Sequence, residues 1–408
     1  MREQLEGSQA IARAVGRCRP DVVPAYPITP QTHIVEALGT MTRDGRLPGA
    51  RFMTVESEFS TLSAALGASA AGSRAYTATA SQGLLYMAEV LFSVAGLGFP
   101  VVMTVANRAI GAPINIWNDQ SDSMALRDSG WVQLHAADNQ EAVDLHPLAF
   151  RLAEEVSVPV MVCVDGFVLT HAVEPVEVPG QEEVDAFLPA YRPTQWLYPA
   201  DPVTIGAMVG PDAFTEVRAL ADRTLRSALP AYQRVTREYA AVVGRSLQPT
   251  TVWGSAGAPT VVVTVGSVTG TVRVALEGRD DVAVLQLGMY RPFPRDLVRA
   301  ALVGRERVLV VERALSPGTA GPVTADVSEA LAGTDVVVHT AVAGLGGRAV
   351  RGEAVVDALT AIAGTSAPTT RFLDLRDDVV DRELHRLVHR RSEVVRREHV
   401  VVAPEVWS

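Results

Sequence analysis

Two rhythms of apolar spacing alternate along the first 170 residues of this chain. Residues 7–17 repeat at helical spacing, and DVVPAYP (21–27) reads as a short strand entering a Pro-rich loop. Residues 58–72, EFSTLSAALGASAAG, predict a helix of small residues that can pack close against its neighbours. AYTAT (75–79) predicts a strand, SQGLLYMAEVLFSVAG (81–96) a helix and VVMTVA (101–106) a strand. A helix over 141–156 and a strand over 158–165 continue the series. Such alternation predicts an α/β fold, a parallel sheet with helices on both faces. Ligands of these sheets bind at the carboxyl ends of the strands.

The rhythm breaks at 172–202, where six prolines predict a long surface excursion. A helical stretch, 212–242, leads into GRSLQPTTVWGSAG. A second α/β unit opens with PTVVVTVGS (259–267), followed by a helix in TGTVRVALEG and a strand and loop in VAVLQLGMYRPFP (282–294). RVLVVERA (307–314) and DVVVHTAVAGLGG (335–347) are further strands. The expected organisation is a first domain, 1–245, a linker, 246–257, a second domain, 258–375, and a charged tail, 376–408. In the tail, Leu384, Leu387, Val388, Val394 and Val395 recur at helical spacing and predict an amphipathic helix that docks on the body or on a partner. His385 and His389 stand at i, i+4 there. With no third ligand nearby they read as part of a solvated face, and no metal ligand is assigned.

Composition narrows the function. The 408 residues are 48% hydrophobic and 20% charged, with a net charge of −10, which argues against a nucleic-acid partner. All 36 basic residues are arginine, so no lysine is present to form a Schiff base. The two cysteines, Cys18 and Cys163, have no cluster-binding spacing, so this chain alone cannot hold an iron–sulfur cluster. No segment reads as a signal peptide or membrane span, and a reducing, cytoplasmic setting is expected.

Four segments carry the candidate chemistry: AYPITP (25–30), VESE (55–58), TASQG (79–83) and ANRAIGAPINIWNDQSD (106–122). Three of them follow an apolar run. Glu58 at a helix start suits the helix dipole, as any glutamate there would. Arg108, just after a strand, can take a carboxylate with two parallel hydrogen bonds. Thr29, in a rigid loop between Pro27 and Pro30, can cap a helix starting near 31 or bond to a ligand oxygen. Together they suggest a site for a small anion.

These segments, in this order with VDGFVLTH, GSVTGT, MYRPFP, SPGTAGP and GLGGR, resemble the alpha subunit of 2-oxoacid:ferredoxin oxidoreductases of the pyruvate or branched-chain type. The resemblance runs over roughly residues 5–375. It implies a doubly wound domain holding the aminopyrimidine of thiamine diphosphate, followed by a transketolase C-terminal-like α/β domain. It implies that Glu58 bonds the pyrimidine ring, where a carboxyl group favours the tautomer able to take up a proton. Arg108 would bind the 2-oxoacid carboxylate and Thr29 its oxygens, with Pro27, Ile28, Ser81 and Gln82 beside the cofactor. Ser81, Gln82 and Gly83 fit a cleft floor or plain packing, and Asn118 and Asp119 a supporting or partner-contact role.

The resemblance implies that a beta subunit holds the diphosphate and Mg²⁺ through a GDG-type motif, and the lack of such a motif here fits an alpha chain. Gamma and delta subunits, iron–sulfur clusters on those partner chains, coenzyme A and ferredoxin complete the implied reaction. Gln120-Ser121 stands where the family often has His-Gln, and Ala349 follows GLGGR where Asp is frequent. These departures leave open a paralogue repurposed for another thiamine-dependent or reductive reaction. A non-catalytic scaffold subunit is a third reading, against which the joint presence of Thr29, Glu58 and Arg108 argues.

Overall fold

In the computed structural model, which describes residues 2–398 and side-chain surroundings through residue 389, two sheets lie side by side. The first runs Met289–Arg291, Val132–His135, Val160–Asp165, Val102–Asn107, Tyr76–Thr79, parallel except for its outermost strand. A parallel bridge between Val22 and Ala75 continues it to the pair Val22–Ala25 and Arg51–Thr54. Strand side chains point alternately to the two faces. Val102 and Ala106 therefore enter one core, with Ile11, Ile34, Leu148 and Tyr232, and Met103 and Val105 enter another, with Leu62, Leu91 and Val94. Both faces are thus covered by helices, which is why these strands read as unbroken apolar runs.

The second sheet has the order Thr370–Phe372, Val337–Val342, Arg307–Glu312, Thr260–Thr264, Val282–Leu287, Thr250–Trp253. Its last strand is antiparallel and lies inside the segment expected as a linker. Met289–Arg291, expected in the second unit, instead pairs with Val132–His135 of the first sheet. Fully buried Met289 sits in the first core, while its neighbour Tyr290 sits in the second. The two units are stitched by this crossing strand.

Three expectations change in detail. The helix expected over 81–96 is divided at Met87 into Ser81–Tyr86 and Ala88–Leu97. The excursion 172–202 is not all surface wrap. It carries strand Val173–Val176, paired with Glu3–Glu6, and helix Gln181–Phe187, whose Val184 and Phe187 are buried. The tail forms helix Asp377–Glu398, and its Leu384, Leu387 and Val388 are exposed, so this face does not dock on the body. The side chains of Val394 and Val395, and residues 399–408, lie outside the described residues. Among the described residues no helix is long and apolar enough to cross a membrane.

Candidate active site

The strands Val22–Ala25, Tyr76–Thr79 and Val102–Asn107 end at one edge of the first sheet, and their loops interlock there. The tie between AYPITP and ANRAIG is Arg108, whose Nη1 donates to the Thr29 carbonyl at 2.9 Å while Nε donates to the Asn115 carbonyl at 3.1 Å. Arg108 is 6% exposed, and burial holds its pKa below the ordinary arginine value, with Asp122 opposing that shift. Nη2 has no partner among the described residues. The fork expected to meet a carboxylate in two parallel bonds thus has two of its three nitrogens turned to backbone carbonyls.

Thr29 itself is exposed, Pro27 is exposed, and half-buried Ile28 packs on the first core. Sequence reasoning missed Gln31, which fixes this loop. Its fully buried Nε2 donates to the carbonyls of Tyr26 at 3.0 Å and Ala78 at 2.7 Å, tying the loop to the neighbouring strand.

TASQG and ANRAIG are joined by Ser81, whose Oγ lies 2.5 Å from both the Ala109 carbonyl and Gln82 Oε1, two acceptors for its one proton. Gln82 Nε2 in turn fills the space beside Gly111, where a Cβ would come within 2.7 Å of it. Ser81 has φ +49°, a left-handed conformation that costs energy in a residue with a Cβ.

The residue that organises this edge is Asp122, also missed. Fully buried, it accepts four N–H groups: Ser81 and Arg108 backbone on Oδ2 at 2.8 and 3.0 Å, Asn107 Nδ2 and Ser123 backbone on Oδ1 at 2.8 Å each. Burial pushes its pKa up to about 7 against the pull of those donors. Only its short distance from Asp119 in the NDQSD run could have flagged it.

VESE meets TASQG at Gly83. Ser57 caps helix Glu58–Ala70 by accepting the Ser60 N–H, which sets Glu58 at its first position. A Cβ on Gly83 would lie 2.8 Å from Glu58 Oε1 and 2.7 Å from Thr79 Oγ1. The Glu58 carboxylate is half-buried and bonds to no described residue. The Thr79 hydroxyl is buried and without a partner. The uncommitted Glu58 carboxylate thus lies over a backbone that must lack a side chain. This donor-seeking cradle fits a flat heterocycle bearing N–H groups, the chemistry of an aminopyrimidine.

Asp119 and Gln120 turn toward the second unit. Asp119 Oδ2 accepts Gly346 N–H at 3.0 Å, and Asn115 Nδ2 donates to the Gly346 carbonyl at 3.1 Å. Gly347 has φ +82° and passes so close that a Cβ would overlap Trp117, which explains the glycines of GLGGR. Asn118 is buried with its Nδ2 unpartnered. Gln120 Nε2 donates to the Val265 carbonyl at 3.1 Å and to Asp165 at 3.4 Å. Asp165 also accepts the Ser267 N–H at 2.9 Å and pairs with Arg313 at 3.5 Å. The glutamine that departs from the family pattern is therefore a contact between the units.

Comparisons with known proteins give the chain its family. Residues 13–237 match the family model described as pyruvate flavodoxin/ferredoxin oxidoreductase, thiamine diphosphate-binding. Residues 258–355 match pyruvate:ferredoxin oxidoreductase core domain II. The chain belongs to the 2-oxoacid:ferredoxin oxidoreductase family, as an alpha subunit. Its relatives include pyruvate synthase subunit PorA of Methanosarcina barkeri, 45% identical over 77% of this chain and 80% of that protein. PorA of Thermotoga maritima is 39% identical over 92% and 98%. Ketoisovalerate oxidoreductase subunit VorA of Pyrococcus abyssi is 36% identical over 85% and 90%. A solved 2-oxoglutarate:ferredoxin oxidoreductase from Magnetococcus marinus shares the fold, with a TM-score of 0.67 and 19% identity. The match covers 88% of this chain and 65% of that longer one.

Proposed function

We propose that this chain, with partner subunits, catalyses the oxidative decarboxylation of a small 2-oxoacid of the pyruvate or branched-chain type. The products are acyl-coenzyme A and carbon dioxide. Two electrons pass singly through iron–sulfur clusters on partner chains to ferredoxin, and the coenzyme A thiol proton is released. The observation that carries this reading is the Glu58 carboxylate, held against Gly83 and bonded to no described residue.

When bound, thiamine diphosphate supplies the carbon nucleophile and electron sink that decarboxylation needs. The chain's own residues do the rest. Glu58 accepts a hydrogen bond from, or shares a proton with, the pyrimidine ring. Arg108 offers Nη2 to the substrate carboxylate. Thr29 places its hydroxyl beside the substrate oxygens on a loop that Arg108 and Gln31 hold still. Pro27, Ile28, Ser81 and Gln82 form the walls. A beta subunit holds the diphosphate and Mg²⁺, and gamma and delta chains complete the complex.

The test is an oxygen-free assay of the complex co-purified with its partners. Reduction of ferredoxin or a viologen dye by pyruvate or a branched 2-oxoacid, dependent on thiamine diphosphate and coenzyme A, is expected. No reduction by a complex loaded with cofactor and clusters would overturn the proposal.

A further inference from the structure

Outside the cleft, Glu6, His33 and His171 bring one potential ligand atom each within 4.8 Å of the others. They come from three separate elements. Glu6 ends strand Glu3–Glu6, His33 lies in the first turn of helix Thr32–Arg43, and His171 follows strand Val160–Asp165. We propose that these three side chains form a binding site for a late first-row divalent cation of the Zn²⁺ type. The proposal is independent of the reading of the cleft.

The backbone beneath the site is fixed. Glu6 pairs in register with Val173, Gly7 N–H donates to the Ala172 carbonyl at 3.0 Å, and Ser8 N–H donates to the Thr170 carbonyl at 2.9 Å. Gly7 approaches so closely that a Cβ would lie 2.0 Å from the Leu169 carbonyl oxygen. Glu6 and His171 are therefore held next to each other by the ladder itself.

The rings are oriented as well. His171 Nδ1 lies 2.8 Å from Thr170 Oγ1, which accepts the Phe167 N–H at 2.8 Å. The tautomer that donates from Nδ1 to this hydroxyl leaves Nε2 free to ligate, the arrangement typical of metal-binding histidines. The His171 ring packs against Phe167 and His33 in tilted contacts, each with centroids 4.8 Å apart. His33 Nδ1 lies 2.7 Å from Glu6 Oε1, and a cation bound here displaces the proton the two share and releases it to solvent.

The chemistry of the set selects the ion. Two imidazoles and one carboxylate suit Zn²⁺, Co²⁺ or Ni²⁺ better than Ca²⁺ or Mg²⁺, which prefer oxygen ligands. With Zn–N and Zn–O near ~2.1 Å, the ligand atoms must close by about 1 Å, within reach of the exposed His33 and half-buried Glu6 side chains. The site opens to a cleft that Glu36 also lines, leaving room for water as a further ligand. Because His33 opens the helix that follows Thr29 and Pro30, an ion here would pin that loop to the His171 segment.

The test uses the tag-free full chain, stripped with chelator and titrated with ZnCl₂ by calorimetry and with Co²⁺ by its visible absorption. One equivalent is expected, with affinity reduced by about tenfold or more in His33→Ala and in His171→Ala. The pair His385 and His389, with ring centroids 4.4 Å apart, is the competing position. Stoichiometry should persist in the double variant His385→Ala/His389→Ala. Absence of a stoichiometric site, or binding unchanged in His33→Ala, would overturn the proposal. Should His171→Ala fail to fold, the exposed His33 decides, and no outcome depends on turnover.

Discussion

Arg108 donates from Nη1 to the carbonyl of Thr29, so the residue assigned to the substrate carboxylate also holds the residue assigned to the substrate oxygens. The two act as one unit, linking loops 79 residues apart in sequence. Arg108→Ala removes the substrate charge partner and frees the Thr29 loop together. We expect kcat/KM for the 2-oxoacid to fall by about 100-fold, roughly the value of one charge-assisted bond. Thiamine diphosphate affinity should change little. Arg108→Lys should not rescue, because an ammonium cannot reach the Asn115 and Thr29 carbonyls from one plane. Steady-state kinetics beside cofactor titration check this, and equal loss of both affinities would remove Arg108 from the substrate role.

Gly83→Ala tests the cradle. The added methyl would meet both Glu58 and Thr79 inside van der Waals distance. Cofactor affinity should drop by about tenfold or more, as expected when a close approach is blocked. Gly96→Ala is the control, since nothing lies within 4 Å of a Cβ there and helix propensity gains up to about 1 kcal/mol. Fluorescence titration of the complex and thermal melts separate the two.

Asp122→Asn should damage both fold and site. Each carboxylate oxygen accepts two N–H groups, so either orientation of an amide sets its NH₂ against a pair of donors. A loss of about 2–4 kcal/mol is expected from leaving buried donors unsatisfied. The Arg108 backbone moves with it, so KM for the 2-oxoacid should rise. A urea midpoint within error of the unsubstituted chain would contradict the organising role.

The contribution of Glu141 to stability should fall as pH rises from about 5 to about 7, opposite in sign to that of His135 and His146, whose pKa burial lowers to about 4. Burial raises the Glu141 pKa to about 7, with Asp138 and Asp144 adding to the rise. Between its unfolded value and about 7 the native state keeps a proton that the unfolded state has lost, so stability is greatest on the acid side and is lost as pH climbs through 7. Burial drives Asp122 and Glu312 the same way. Glu141→Gln keeps a carbonyl for the Ala137 N–H, and Gln286 can turn its amide to match. That variant should lose less stability over this range, by about 2–3 kcal/mol. Denaturant unfolding at both pH values provides the check, and parallel slopes would exclude Glu141.

Much of the architecture was legible because strands buried on both faces leave unbroken apolar runs, as VVMTVA and VPVMVCVD do. Arg51–Thr54 was missed because it is a half-exposed edge strand without that run. Met289–Arg291 was placed in the wrong sheet because strand pairing is a tertiary choice that three residues cannot announce. At the site, the order of four segments pointed to Thr29, Glu58 and Arg108. Gln31 and Asp122 act through backbone groups that only the fold brings near, and the bonds of Gln120 to Val265 and Asp165 join segments far apart in the chain.

The central claim is that the Glu58 carboxylate, free of any bond to the described residues, serves the cofactor. Exchange of the thiazolium C2 proton of bound thiamine diphosphate with deuterated water, followed by NMR after acid quench, measures that service without substrate. In the complex carrying Glu58→Gln, exchange should slow by about 100-fold or more, the scale of lost acid–base assistance. Fold and cofactor occupancy should be retained. Exchange as fast as in the unsubstituted complex, at equal occupancy, would contradict the account.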